Sequence, residues 1–195
     1  MMSKQEITFQ IIDDKVKVTT PYNADFVAKC RNFRGKWEPK EKAWYFDDTL
    51  IDHVRETLME FFGTTGEVPY ENCTLQVDNF DASCMTGPVI LFGRIIAKAF
   101  GRDSGAKLGD DIVLLSGTID SSGSVKNWST IVNKATLHIK NFPLPGTELP
   151  EVKAAIEEGW VKVIRSTKKR PEAEIRAEIA ALLARVDELQ KELDS

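Results

Sequence analysis

Histidine and cysteine are scarce in this 195-residue chain, with two of the first and three of the second. His53 and His138 lie far apart, and Cys30, Cys73 and Cys84 form no CxxC pair, so no zinc-ligand spacing occurs and no metal is expected. An odd, widely spaced set of thiols is no disulfide framework and implies a reducing interior. Long apolar runs are absent too: none approaches the roughly twenty residues that a membrane-spanning helix needs. The opening segment MMSKQEITFQ lacks the apolar stretch of a secretory signal, which predicts a cytoplasmic protein. No Ser/His/Asp set or nucleophile–base pair can be named, so neither a catalytic residue nor a cofactor is assigned. The glycine-bearing GRDSGAKLG does not match the GxxxxGK[ST] spacing of a phosphate-binding loop.

What is present is a local concentration of charge. The formal net charge is −4, which excludes a wholesale polycation but not a basic face. Residues 29–46, KCRNFRGKWEPKEKAWYF, hold six of the lysines and arginines and five aromatic rings. Lys29, Arg31, Arg34 and Lys36 surround the end of an expected helix, and Lys40 and Lys42 crown the turn of an expected hairpin that carries Trp37 and Trp44. Cations neutralise phosphates, and exposed rings stack on bases. The same residues also suit a plain hairpin with both indoles in the core and the lysines merely solvated. Exposure separates these two readings.

Hydrophobic periodicity sets out the rest. ITFQIIDDKVKVTT reads as two strands around an Asp-Asp turn. PYNADFVAKCRNFRG reads as a helix with Asn23 at its N-cap and Gly35 past its end. TLIDHVRETLMEFFG reads as a second helix, capped by Asp47 or Asp48 and ended by Gly63. After the linker TTGEVPYEN, the runs CTLQVDNF, GRIIAKAF, DDIVLLSG and ATLHIKNF read as strands, separated by the polar loops GRDSGAKLG and DSSGSVKNWS. GPVILF is open to either a strand or a helix with Pro88 in its first turn. In the tail, Ile175, Ile179, Leu182, Val186, Leu189 and Leu193 alternate gaps of four and three, a heptad seam that predicts a coiled-coil helix joining protomers.

The expected fold class is therefore α+β. It has a small strand–helix–hairpin–helix module (1–63), a central antiparallel β domain (66–145), a helix–strand connector (150–170) and a C-terminal coiled-coil oligomerisation helix (171–195). Arg94, Arg102, Asp103, Ser104, Lys107, Ser124, Lys126 and Asn127 fall in or beside the β-domain loops. They suit an anion site, or the ordinary turn chemistry of Asp, Ser, Gly and Asn.

The stretch VKVTTPYNADFVAKCRNFRGKWEPKEKAWYF resembles the HARP domain of annealing helicases, through Tyr22, Asn23, Phe26, Lys36, Trp37, Pro39, Lys42 and Trp44. That likeness covers about the first third of the chain and implies DNA binding with a preference for forked or single-stranded structures. No helicase motor follows, so ATP-driven remodelling is not implied. GRIIAKAFGRDSGAKLGDDIVLLSG followed by GSVKNW is similar to a group of uncharacterised proteins of plasmids, phages and integrative elements. This likeness names a neighbourhood and no activity. The combined expectation is an oligomeric DNA-binding accessory protein of a mobile element. Its candidate contacts are Lys29, Arg31, Arg34, Lys36, Trp37, Lys40, Lys42, Trp44, Arg94, Arg102, Lys107 and Lys126. A protein-directed inhibitor of a host defence nuclease, suited by the acidic DD, DNFD and GDD patches, is one alternative. A nucleotide-acting enzyme using the Arg/Lys/Ser/Asn loops is another.

Overall fold

The Asp-Asp pair at the first turn does what its residue types allow. Asp13 and Asp14 take positive φ values of 48° and 57°, the geometry of a two-residue hairpin turn that suits strand twist. It joins β1 (Thr8–Ile12) to β2 (Lys15–Thr19). Asn23 then caps α1 (Ala24–Asn32), its side-chain oxygen accepting from the N–H groups of Asp25 and Phe26 at 3.0 Å each. β3 (Lys36–Glu38) and β4 (Ala43–Asp47) follow as a hairpin, and a single 3-10 turn leads into α2 (Ile51–Phe62). Gly63 ends α2 in the left-handed conformation at φ 69°. The four strands order as β1-β2-β4-β3, and the helices close one face over Val16, Val18, Phe26, Trp44, Phe46, Val54 and Leu58.

The described residues are 6–165 of a computed structural model, and the heptad seam lies outside them. The second half builds two more sheets. β5 (Asn72–Met85), β9 (Ile112–Gly123), β10 (Trp128–Pro143) and β11 (Val161–Arg165) order as β11-β5-β10-β9. β6 (Val89–Leu91), β7 (Arg94–Ala99) and β8 (Ala106–Leu108) form the third. Leu75, Val77, Ile96, Leu137 and Ile139 fill the space between the layers, with α3 (Pro150–Glu157) adding Val152 and Ala155. All strand pairs are antiparallel.

The α+β expectation is corrected by this arrangement. The described residues form eleven strands in three antiparallel sheets, and their three α-helices span only 9, 12 and 8 residues. Much of the difference lies in DSSGSVKNWS. Asp120–Gly123 continue β9 and Trp128 begins β10, leaving a four-residue turn where a loop was expected. Residues there are solvated, so nothing in the side-chain pattern betrays the strands; the ladder hydrogen bonds alone make them. GPVILF is likewise strand, paired from Val89 to Ala97 and from Ile90 to Ile95. That register leaves Ile96 as an extra residue in β7, a bulge of the kind that re-aims side chains.

All described residues belong to one compact unit. Within the first core the Ile7 N–H donates to the Tyr70 hydroxyl at 2.7 Å. The two halves also approach each other closely. Gly93, at φ 69°, lies so close to the capping side chain of Asn23 that an added Cβ would fall 2.2 Å from its amide nitrogen. Asn23 thereby works twice, as a helix cap and as a buried spacer between the halves.

Burial also decides thiol chemistry. Desolvation pushes the Cys30 thiol up to about 12 and the Cys73 thiol up to about 11, because a thiolate in an apolar pocket loses its hydration. A disulfide-exchange reagent in mildly alkaline solution is expected to modify Cys84, which is part-exposed, well before Cys30 or Cys73. All three should react after denaturation. Rapid native modification of Cys30 would contradict the packing of α1.

Candidate nucleic-acid interface

Residue types that bind a polyanion meet along one concave strip of this unit. The strip starts at the β3–β4 hairpin. Trp37 and Trp44 stand opposite each other across it, ring centroids 5.4 Å apart and inclined by 54°. Trp44 is 6% exposed and lies over Phe46 in the core, whereas Trp37 is 44% exposed. One indole is therefore structural and the other presents a face to solvent. Trp37, Tyr22 and Lys42 line a shallow recess that shares Pro21, Tyr22, Lys42 and Asp110 with a larger cleft.

That cleft, of about 690 Å³, lies between the hairpin module and the small third sheet. Arg94 lies in its wall, and Lys98, Phe100 and Lys107 line the β7–β8 side. Lys98 and Lys107 face each other directly across the β7–β8 pair. Like charges in that position are destabilising unless an anion or counterion neutralises them. The Lys98 ammonium sits 5.1 Å from the centre of the Phe100 ring, and Phe100 is 64% exposed. Ala97 and Ala99 fill the core while Lys98 and Phe100 face outward, as strand alternation requires. Gly109 closes the strip from behind: an added Cβ would fall 1.8 Å from the Ile95 carbonyl oxygen, so only glycine permits this approach.

Arg94 differs from the lysines in being half-buried. Its Nη2 donates to the Asn141 carbonyl at 3.2 Å, its one hydrogen bond to a described residue. Burial holds the guanidinium below the usual arginine value, with the nearby Asp111 carboxylate partly opposing that shift. Asp111 in turn accepts from the Asn141 amide at 2.9 Å. No carboxylate of the described residues lies within 4.0 Å of Lys36, Lys40, Lys42, Arg94, Lys98 or Lys107.

The acids of the hairpin turn are occupied elsewhere. Glu41 takes a salt bridge from Lys17 at 2.5 Å and a hydrogen bond from the Tyr45 hydroxyl at 2.5 Å. Lys17 first, then Tyr45, hold the Glu41 carboxyl below the usual carboxylate range. Glu38 accepts from the Lys40 backbone N–H at 3.1 Å. The turn is thus pinned by its own carboxylates, and the ammonium groups of Lys40 and Lys42 stay unpaired by them.

Of the residues expected from sequence, Lys42, Arg94 and Lys107 come together in the cleft, and Trp37 and Trp44 join through the recess. Lys36 and Lys40 are exposed on the same hairpin. The others go elsewhere. Lys29 bridges to Glu60 on α2 at 3.0 Å. Arg31 and Arg34 are exposed around the end of α1. Arg102 is bidentate to its neighbour Asp103, with Nε at 2.9 Å from both carboxylate oxygens. Lys126 is exposed in the β9–β10 turn. Ser104 binds the Phe100 N–H and the Gly101 and Gly105 carbonyls, and Ser124 accepts from the Asn127 N–H. These loop residues spend their polar groups on their own turns.

Tyr22, Lys98 and Phe100 are among the lining residues that the expected contact set leaves out. The i, i+2 spacing of Lys98 and Phe100 in GRIIAKAF is a legible signal for a shared strand face, whereas the bulge at Ile96 takes Arg94 out of that alternation. Tyr22 belongs to the HARP-like pattern, but its place in the cleft depends on Asn23 packing against Gly93 seventy positions later. Among the described residues no group of three or more His, Cys, Asp or Glu side chains is placed to hold a metal ion. No helix among them is long and apolar enough to cross a membrane. No protein-family model, curated protein or solved structure matches the chain.

Proposed function

We propose that this protein is a cytoplasmic DNA-binding accessory protein of a mobile element that grips single-stranded or branched DNA in the strip between the β3–β4 hairpin and the β7–β8 edge. One observation carries the reading: three exposed rings, Trp37, Tyr22 and Phe100, and the cations Lys42, Lys98 and Lys107 line two recesses that share Tyr22 and Lys42. Sequence-tolerant single-strand binding asks for this combination, since cations track phosphates and rings stack on unpaired bases. A duplex hides the faces of its bases and would use the cations alone. The HARP-like pattern through Tyr22, Asn23, Trp37, Lys42 and Trp44 supports the same reading, and the plasmid- and phage-type likeness of the second half supports the setting.

The test is fluorescence anisotropy of a labelled single-stranded oligonucleotide against the full chain over a range of salt concentrations. The logarithm of the binding constant should fall linearly with the logarithm of salt, by about 0.7 for each phosphate engaged. An equal-length duplex should bind more weakly at every salt. A flat salt dependence, or no binding, overturns the reading.

A further inference from the structure

We infer that the cleft around Arg94 receives the terminal phosphate monoester of a nucleic-acid strand, so that this protein recognises phosphorylated strand ends. The inference rests on the DNA-binding reading and deepens it. Three features of the cleft separate an end from an internal phosphate.

The first is depth. Lys42, Lys98 and Lys107 are exposed at the rim, but Arg94 is half-buried, with one hydrogen bond to a described residue. An internal phosphodiester carries a sugar on each side, and both must clear the walls before it reaches a recessed guanidinium. A terminal phosphate has one such neighbour and can project inward. The second is charge. A terminal monoester carries about −1.5 to −2 and three free oxygens, which suits a cleft lined by a guanidinium and three lysines. Desolvation lowers the guanidinium's proton affinity, Asp111 offsets part of that, and a bound dianion would offset more. The third is the pair of carboxylates Asp110 and Asp111 in the same cleft. They repel a backbone laid lengthwise through it, where successive phosphates would pass beside them. A single terminal phosphate on the cations of the cleft meets these carboxylates only once, Asp111 being the one near Arg94, and its strand leaves across Tyr22 and Trp37.

The test compares one internally labelled single strand in three forms: with a 5′-phosphate, with a 3′-phosphate, and with hydroxyls at both ends. Binding to the full chain is read at constant ionic strength. One phosphorylated form should bind about tenfold more tightly than the hydroxyl form, the scale of an added charge-assisted contact. Inorganic phosphate should compete selectively against that form. Arg94→Gln should bring the ratio close to one. Because Arg94 is half-buried, its variant needs a thermal-melting check; Lys107→Gln at the exposed rim provides a second reading and should reduce the ratio without affecting the fold. Equal, salt-dependent binding of all three forms overturns the terminal-phosphate inference and leaves the DNA-binding reading standing. No binding of any form overturns both.

Discussion

Replacing Lys42, Lys98 and Lys107 together by alanine is expected to lower single-stranded DNA affinity by about a hundredfold at roughly 0.1 M salt. The figure follows from counterion release. Each cation that neutralises a phosphate of a single strand contributes about 0.7 to the slope of log affinity against log salt, hence about 0.7 decade at 0.1 M. Three such cations contribute about two decades, and the slope itself should shrink by about 2. The defect should therefore narrow as salt rises. All three side chains are exposed and free of ion pairs with described carboxylates, so melting temperature should not fall. It should rise slightly, since the direct Lys98–Lys107 opposition is removed. Lys29→Ala, Arg102→Ala and Lys126→Ala combined serve as the contrast. They remove the same formal charge from positions that do not line the cleft, and should cost much less. If the two triple variants lose affinity equally, binding follows bulk charge and the cleft has no special role.

The two tryptophans of the hairpin should fail in opposite ways. Trp44→Ala is expected to destabilise the protein by about 3–5 kcal/mol, the usual cost of deleting a large core ring. Trp44 is 6% exposed and packs between Trp37 and Phe46, so its removal leaves a cavity beneath the sheet. Trp37→Ala should change stability far less, because 44% of Trp37 is already in water. Its effect should appear in DNA affinity instead, at about 1–3 kcal/mol, the scale of one base stacked on an aromatic face. Denaturant melts and anisotropy titrations on both variants separate these outcomes. A Trp37→Ala protein with native affinity would remove the hairpin from the interface. A Trp44→Ala protein with native stability would contradict the packing of the first core.

The contrast between the indoles shows where sequence reasoning stops. In β3 and β4 the spacing places both rings on a hairpin, yet it cannot say which lies under the helices. Their fates diverge because α1 and α2 cover β4, while β3 is the outer strand of its sheet. The expected site had a similar history. Lys42 stands out for its place on the tryptophan hairpin and in the HARP-like pattern, Arg94 and Lys107 for their charge in or beside the β-domain loops; the cleft unites them because β7 and β8 pair and the hairpin module sits beside them. Arg102 and Lys126 were chosen on the same ground and land in turns that consume or isolate them.

Local chemistry was readable directly: the Asp13–Asp14 turn, the Asn23 cap, the Gly63 stop and the apolar stripes of α1 and α2 follow from short-range sterics and hydrogen bonding. A residue's own neighbours suffice to determine such features. Strand extent was not readable where the residues are polar on both faces, as in Asp120–Gly123, because a ladder forms from backbone groups whose partners lie on another strand. The cleft belongs to the same class. Its depth depends on a glycine pressed against the Ile95 carbonyl, a bulge at Ile96 and an asparagine wedged on Gly93, each a long-range contact that no periodicity encodes. The sequence alone determined which charges and rings were available; the folded chain alone decided which of them share a surface, because electrostatic and stacking forces act across a few ångströms of space rather than along the chain.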